Sequence, residues 1–145
     1  MSKALVRVRL LRPGARLPSR ATEHSTGFDL HACIENEDVE VGQRPVVVGI
    51  GIAIEVPPGF DAQIRPRSGL AKSGVLSTFG TIDSDYRGEL MVTLYTVASD
   101  ISHVVHHGDR IAQLVIARLA DVDLVGAEEL SSTTRGRGGH GSTGR

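Results

Sequence analysis

Tryptophan is absent from this 145-residue chain, and the other rings amount to three phenylalanines and two tyrosines. A core must therefore be built from Val, Ile, Leu and Ala, and each ring marks a position worth explaining. Cysteine occurs once, as Cys33, which excludes an internal disulfide and suits a reducing compartment. No charge sign dominates: 16 Lys and Arg against 17 Asp and Glu leave a net charge of −1. A broad basic footprint for nucleic acid or for a membrane surface is thereby excluded. No apolar run approaches membrane-spanning length, and Lys3, Arg7, Arg9 and Arg12 interrupt the N-terminal stretch, so no signal peptide is expected. The chain also lacks a G-x-S-x-G elbow, an H-E-x-x-H pair and a Walker loop. These absences describe a soluble, cytoplasmic, single-domain protein.

What is present is period-two patterning. Leu5–Leu11 alternates apolar and basic residues, Thr26–Ala32 opens on a glycine, and Glu35–Gln43 contains the alternating DVEV. Pro45–Val56 is β-branched and broken into two strands by Gly49 and Gly51, and Phe60–Pro66, Glu89–Val97 and Arg110–Leu119 add further strands. Ser68–Gly74 has room for one or two helical turns, with Ser68 as cap and Gly74 as terminator. Many short strands with Gly/Pro turns and no sustained helical period predict an all-β barrel or jelly-roll-like sandwich. Ser131–Arg145 holds Gly, Ser, Thr, Arg and one His, with no apolar residue to bury, and is expected to be a flexible arm.

The stretch that concentrates chemistry is Gly80–Leu90, GTIDSDYRGEL. It reads as a hairpin in which Asp83 emerges at the end of an apolar strand. Tyr86 adds a ring, while Arg87 and Glu89 add charge at the mouth. Such a tip can hold a flat polar ligand while a carboxylate activates water; a turn aspartate bonding its own backbone is the structural alternative. Arg67 and Ser68 precede the short helix, where a guanidinium, a hydroxyl and backbone N–H groups suit anionic oxygens. Gln113 interrupts the apolar strand RIAQLVIARL, costly unless its amide is bonded or lies on the solvent face of an edge strand. Asp109 and Arg110 read as a structural pair. His103, His106 and His107 suggest a metal cluster only weakly, because no carboxylate or cysteine completes the spacing. The tail contains G-x-G-x-x-G at Gly136, Gly138 and Gly141, but no strand leads in and no helix follows, so a Rossmann reading fails.

Gly80–Gly88 resembles the third motif of the trimeric dUTP pyrophosphatases, the dUTPases: Gly-x-Ile/Val-Asp-x-x-Tyr-x-Gly. Four more segments resemble motifs of the same family in the same order. They are Thr26–Leu30 (first, with Thr26 for the usual alanine), Arg65–Gly69 (second), Gly108–Leu114 (fourth) and Arg135–Gly144 (fifth). The resemblance implies a distorted jelly-roll, or β-clip, barrel over 1–130 with one short helix. The arm, 131–145, would close over a neighbouring subunit's site in a homotrimer. It further implies Mg²⁺-assisted hydrolysis of dUTP to dUMP and pyrophosphate, supplying dUMP for thymidylate synthesis and keeping uracil out of DNA.

Residue by residue, the resemblance makes Asp83 the general base on the attacking water. Arg67, Ser68, Gly69 and Gln113 would hold the phosphates, and Asp29 would hold magnesium through water. Ile82 and Tyr86 would bound the nucleoside, Tyr86 packing on the sugar and disfavouring a 2′-hydroxyl. From the arm, Arg135, Gly141, Ser142 and Thr143 would wrap the triphosphate. Two positions depart from the family: Ser77 stands where many bacterial members carry asparagine, and His140 stands where a phenylalanine usually stacks on uracil. A related branch, the dCTP deaminases, uses a glutamate ten residues beyond the aspartate; this chain has Thr93 there.

Overall fold

A computed structural model describes residues 2–144. Eleven strands and one short helix follow each other in the described residues. They are β1 (Arg7–Leu10), β2 (Phe28–His31), β3 (Val39–Val41), β4 (Val46–Gly49), β5 (Ile52–Glu55) and β6 (Phe60–Arg65). Helix α1 (Ser68–Lys72) follows, then β7 (Val75–Ser77), β8 (Gly80–Ile82), β9 (Met91–Thr96), β10 (His103–Val105) and β11 (Arg110–Arg118). All pairings are antiparallel, in the orders β1-β5, β10-β3, β2-β11-β6-β8 and β4-β9-β7. The all-β expectation holds, and the strands forecast from alternation appear within two or three residues at most ends. Two strands escaped the pattern. β7 (VLS) and β10 (HVV) are three residues each and, unlike the equally short β3, do not alternate apolar with polar side chains.

Alternation explains the core. On β6, Ala62 and Ile64 are buried while Asp61, Gln63 and Arg65 take the opposite face, as a pleated strand requires. Facing them on β11 are Leu114 and the more exposed Ile116, in register with Ile64 and Ala62. Leu30, Ile50, Ile52, Leu90, Leu94 and Ile111 are essentially inaccessible to solvent. No aromatic side chain is among the buried core residues, as the composition demanded. Truncating one of the larger ones to alanine costs about 2–5 kcal/mol in a well-packed core.

Two local expectations are corrected and a third holds. Gly80–Leu90 is not a hairpin: β8 pairs with β6 in the four-stranded sheet, whereas β9 pairs with β4 and β7 in another. The connection 83–90 is longer than the two-to-five residues that keep two strands in one ladder. Its far end is tied to a third place, since Leu90 donates its N–H to the Ile52 carbonyl and accepts from Ile50 N–H. Ser68 does not cap α1; Arg67 occupies the cap position and makes no side-chain capping bond. Ser68 instead begins the helical turn. Gly74 does terminate it, at a φ of +83° with its N–H on the Ala71 carbonyl, the left-handed geometry that glycine adopts without strain.

Residues 119–144 contain no strand or helix, so the last strand ends ahead of the boundary drawn at 130. Hydrogen bonds found within 131–144 connect only arm residues: Arg135 Nε donates to the Gly138 carbonyl at 2.8 Å, and Thr133 Oγ1 accepts from Gly136 N–H at 3.0 Å. No helix among the described residues is long and apolar enough to cross a membrane.

Candidate active site

The first group of predicted residues gathers where β2, β11 and the end of β6 meet. Asp29 lies opposite Gln113 on the β2–β11 ladder, and Gln113 lies opposite Arg65 on the β11–β6 ladder. β11 is therefore a central strand, which rules out the edge-strand reading of Gln113. Its amide donates to the Pro66 carbonyl at 2.9 Å, the bond that makes a half-buried glutamine tolerable. Gly27 packs so closely on Gln113 that any Cβ there would overlap the carboxamide oxygen. The glycine thus leaves that oxygen its place.

Asp29 is flanked by two guanidinium groups, Arg67 Nε at 3.6 Å and Arg110 Nη1 at 3.7 Å. Arg67 is further held by donating from Nη1 to the Arg110 carbonyl at 3.1 Å. Arg110 was expected to pair with Asp109. It does not, because Asp109 turns away to accept from His106 N–H at 2.8 Å. Two residues along β2, His31 is held below the ordinary histidine range, chiefly by burial and then by the charge of Arg16, with smaller contributions from Arg110 and Arg67. A region where three arginines suppress a further positive charge is suited to a polyanion. Ser68 and Gly69 lie beside it, exposed at the start of α1.

A second group forms at the end of β8. Ile82 is buried, Asp83 is exposed, and the chain turns with Tyr86 N–H on the Asp83 carbonyl at 3.0 Å. Asp83, Tyr86, Ile82, Thr81, Ile64 and Met91 help line a pocket of about 240 Å³. Tyr86 leaves 45% of its surface exposed, while its hydroxyl donates to the Glu89 carbonyl at 2.9 Å. The charged neighbours do not both stand at the mouth. Arg87 stays exposed, bonding the Ser84 carbonyl at 2.6 Å and Glu55 at 3.4 Å. Glu89 instead turns inward to meet Arg12 at 2.7 Å, a partner no sequence pattern announced.

The two groups are not brought together within one chain. Asp29 belongs to the first strand of the sheet and Asp83 follows the last. The arm is separate from both, with Arg135, His140, Gly141, Ser142 and Thr143 in a series of exposed or half-exposed turns. His140 itself adopts a left-handed φ of 48°. Ser77 lies on β7, buried, with no hydrogen-bond partner for its hydroxyl. As for the histidines, His106 pairs with Asp38 at 2.7 Å and His107 Nδ1 accepts from Ile34 N–H at 3.0 Å. Among the described residues no group of three His, Cys, Asp or Glu could hold a metal ion.

The comparisons with known proteins fit this arrangement. The dUTPase family model matches residues 14–144. The chain belongs to the dUTPase family. A deoxyuridine 5'-triphosphate nucleotidohydrolase from Hydrogenobaculum sp. is 50% identical over 140 residues, spanning 94% of this chain and 96% of the relative. One of the same name from Nautilia profundicola is 45% identical over 143 residues, spanning 97% and 99%. Among solved structures, a mutant dUTPase of Staphylococcus bacteriophage 80alpha with dUpNHpp superimposes with a TM-score of 0.82 at 25% identity, covering 97% of this chain and 99% of that one. A mutant dUTPase from phage phi11 of S. aureus, described for its structural Mg(II) ion, gives 0.78 at 26% identity over 88% and 99%. The jelly-roll expectation is thereby met.

Proposed function

We propose that this protein hydrolyses dUTP to dUMP and pyrophosphate. The observation that carries the reading is the pocket at the end of β8, where the exposed Asp83 carboxylate and the Tyr86 ring line one cavity over a floor of Ile82. Asp83 accepts a proton from water as its oxygen attacks the α-phosphorus. The α–β bridging P–O bond breaks, and pyrophosphate leaves with the bonding electrons. Arg67, Ser68, Gln113 and Arg135 offset the charge on the phosphates. Tyr86 packs on the sugar, and the turn's backbone groups read the base edge, with the Ser77 hydroxyl buried behind them. The product dUMP serves thymidylate synthesis, and the removal of dUTP keeps uracil out of DNA.

Asp29 already faces two arginines and belongs to no group of three His, Cys, Asp or Glu among the described residues that could hold a metal, so it does not fit a bare metal ion. It fits one held by the triphosphate and reached through water. Mg²⁺ so bound supplies charge neutralisation on the phosphate oxygens.

The separation of Asp83 from Asp29, Arg67 and Gln113 supports a site completed between subunits of a homotrimer, with the arm of one chain closing over another. Leu124 and Leu130 support it too, being 99% and 90% exposed in the isolated chain, an arrangement expected of surface that a partner covers.

The test is pyrophosphate release from dUTP, dTTP, dCTP and UTP with Mg²⁺. Release from dUTP alone upholds the reading. Release from several nucleotides overturns base selectivity at Ser77 and His140, and tight dUTP binding without release converts the protein into a nucleotide sensor.

A further inference from the structure

The Tyr86 ring would be useless for discrimination if it could swing away, and its own attachment is slight. It is 45% exposed, lies against Gly88, and makes one hydroxyl bond, to the Glu89 carbonyl. That carbonyl shares its peptide unit with Leu90 N–H, which donates to the Ile52 carbonyl, and the Glu89 side chain adds a second anchor. The Glu89 carboxylate receives Arg12 Nη1 at 2.7 Å on one oxygen and Gly51 N–H at 3.1 Å on the other. Arg12 is in turn held by donating from Nη2 to the Cys33 carbonyl at 2.9 Å. Four segments, carrying Arg12, Cys33, Gly51 and Glu89, thus meet at one carboxylate. Gly49 makes room for them: a Cβ there would overlap the Glu89 carboxylate and lie 2.9 Å from Arg12 Nη2. The bond to Arg12, and then that to Gly51, hold Glu89 below the ordinary carboxylate range, while Glu89 holds Arg12 above its own. This is the mutual stabilisation expected of a partly enclosed ion pair. Nothing in the hydrolysis itself calls for it.

We propose that Arg12 and Glu89 are positioning residues: their ion pair locks the Tyr86 ring and so sets how strongly the Asp83 pocket rejects a ribose 2′-hydroxyl. The proposal rests on the reading of Tyr86 as the residue that faces the sugar. Arg12 does not line the Asp83 pocket, and Glu89 borders it with its carboxylate turned to Arg12, so both act through Tyr86. The locked ring rejects the extra hydroxyl by contact, and a ring free to turn yields to it.

Glu89→Gln tests this with little change of shape. Gly49→Ala tests it independently, by pushing the carboxylate aside without altering either partner. Both are compared with Tyr86→Phe, which removes the tether, and Tyr86→Ala, which removes the ring. Thermal melts establish that each variant is folded. Activity is read as kcat/KM for dUTP and for UTP. Because the chain has two tyrosines and no tryptophan, a Tyr95→Phe background makes near-ultraviolet circular dichroism a direct report on the Tyr86 ring. The expected result is a fall of about tenfold in dUTP-over-UTP preference in Glu89→Gln, Gly49→Ala and Tyr86→Phe alike. The Tyr86 dichroism band should weaken in the first two. Preference and band both unchanged in Glu89→Gln, while Tyr86→Phe loses preference, would overturn the clamp. Preference unchanged in Tyr86→Ala would instead remove the sugar reading, and with it the clamp's role in discrimination. The pyrophosphate assay on dUTP alone separates either failure from a failure of the assigned reaction.

Discussion

Asp29 and Asp83 stand at opposite corners of the same four-stranded sheet. Three strand steps separate β2 from β8, and the registers place Asp29 level with Arg65 but Asp83 level with Asp61. By strand spacing and rise the two backbone positions are about 20 Å apart. One triphosphate cannot span a base at Asp83 and a phosphate site at Asp29 in a single chain, so the two corners must come from different copies if they serve one substrate.

Complementation follows from that distance. Asp83→Asn alone and Arg67→Gln alone should each be inactive. Co-refolding the two should restore pyrophosphate release from dUTP, because a mixed assembly contains sites with an intact Asp83 from one chain and an intact Arg67 from another. Mixtures as inactive as their parents would place both residues in a site within one chain, against the geometry.

Asp83→Asn would remove the proposed proton acceptor while keeping size and polarity. Turnover should fall by about 10²–10⁴-fold, the usual contribution of a positioned general base. Affinity for a non-hydrolysable dUTP analogue, measured by calorimetry, should change little. A variant that turns over at the native rate would return Asp83 to the role of a turn residue.

Removing residues 131–145 should abolish turnover but leave the melting temperature nearly unchanged. The arm's hydrogen bonds found in the structure are to itself, so the barrel loses no partner when it goes. A large drop in melting temperature would show that the arm packs on the fold and is more than a cover.

Stability should depend on acid through Glu89. Its carboxyl is held below the ordinary range in the folded chain, principally by Arg12, so the unfolded chain binds the proton more readily. The stabilisation is present above the unfolded-state glutamate range and disappears as pH falls through the depressed folded value. His31 acts in the same direction, since its lowered value also means that the unfolded chain takes up the proton first. Thermal melts of the native protein and Glu89→Gln should differ near neutral pH and converge in acid. A gap that persists in acid would assign the effect to packing instead of charge.

Much of the barrel was legible because strand alternation is local: Phe60–Arg65 and Met91–Thr96 show their inward and outward faces in the order of their residues. The motif residues were legible for a related reason, since Asp83, Tyr86, Arg67 and Gln113 sit in short runs whose spacing is itself the pattern. Strands β7 and β10 were not legible, because VLS and HVV do not alternate apolar with polar residues. Nor was the failure of the hairpin, since residues 80–90 alone do not reveal that Leu90 bonds to Ile50 and Ile52.

By itself the amino-acid sequence determined the fold class, the family, the aliphatic core and the places where a carboxylate, a ring and a glycine-rich arm occur. All are matters of composition and near-neighbour spacing. Only the tertiary structure decided which charges meet. Arg110 turns to Asp29 and leaves Asp109, Arg12 reaches across 77 residues to Glu89, and Asp83 ends a sheet's width from Asp29. These pairings depend on strand register and sheet order, which closing a barrel imposes on segments far apart in the chain, and no local pattern records them.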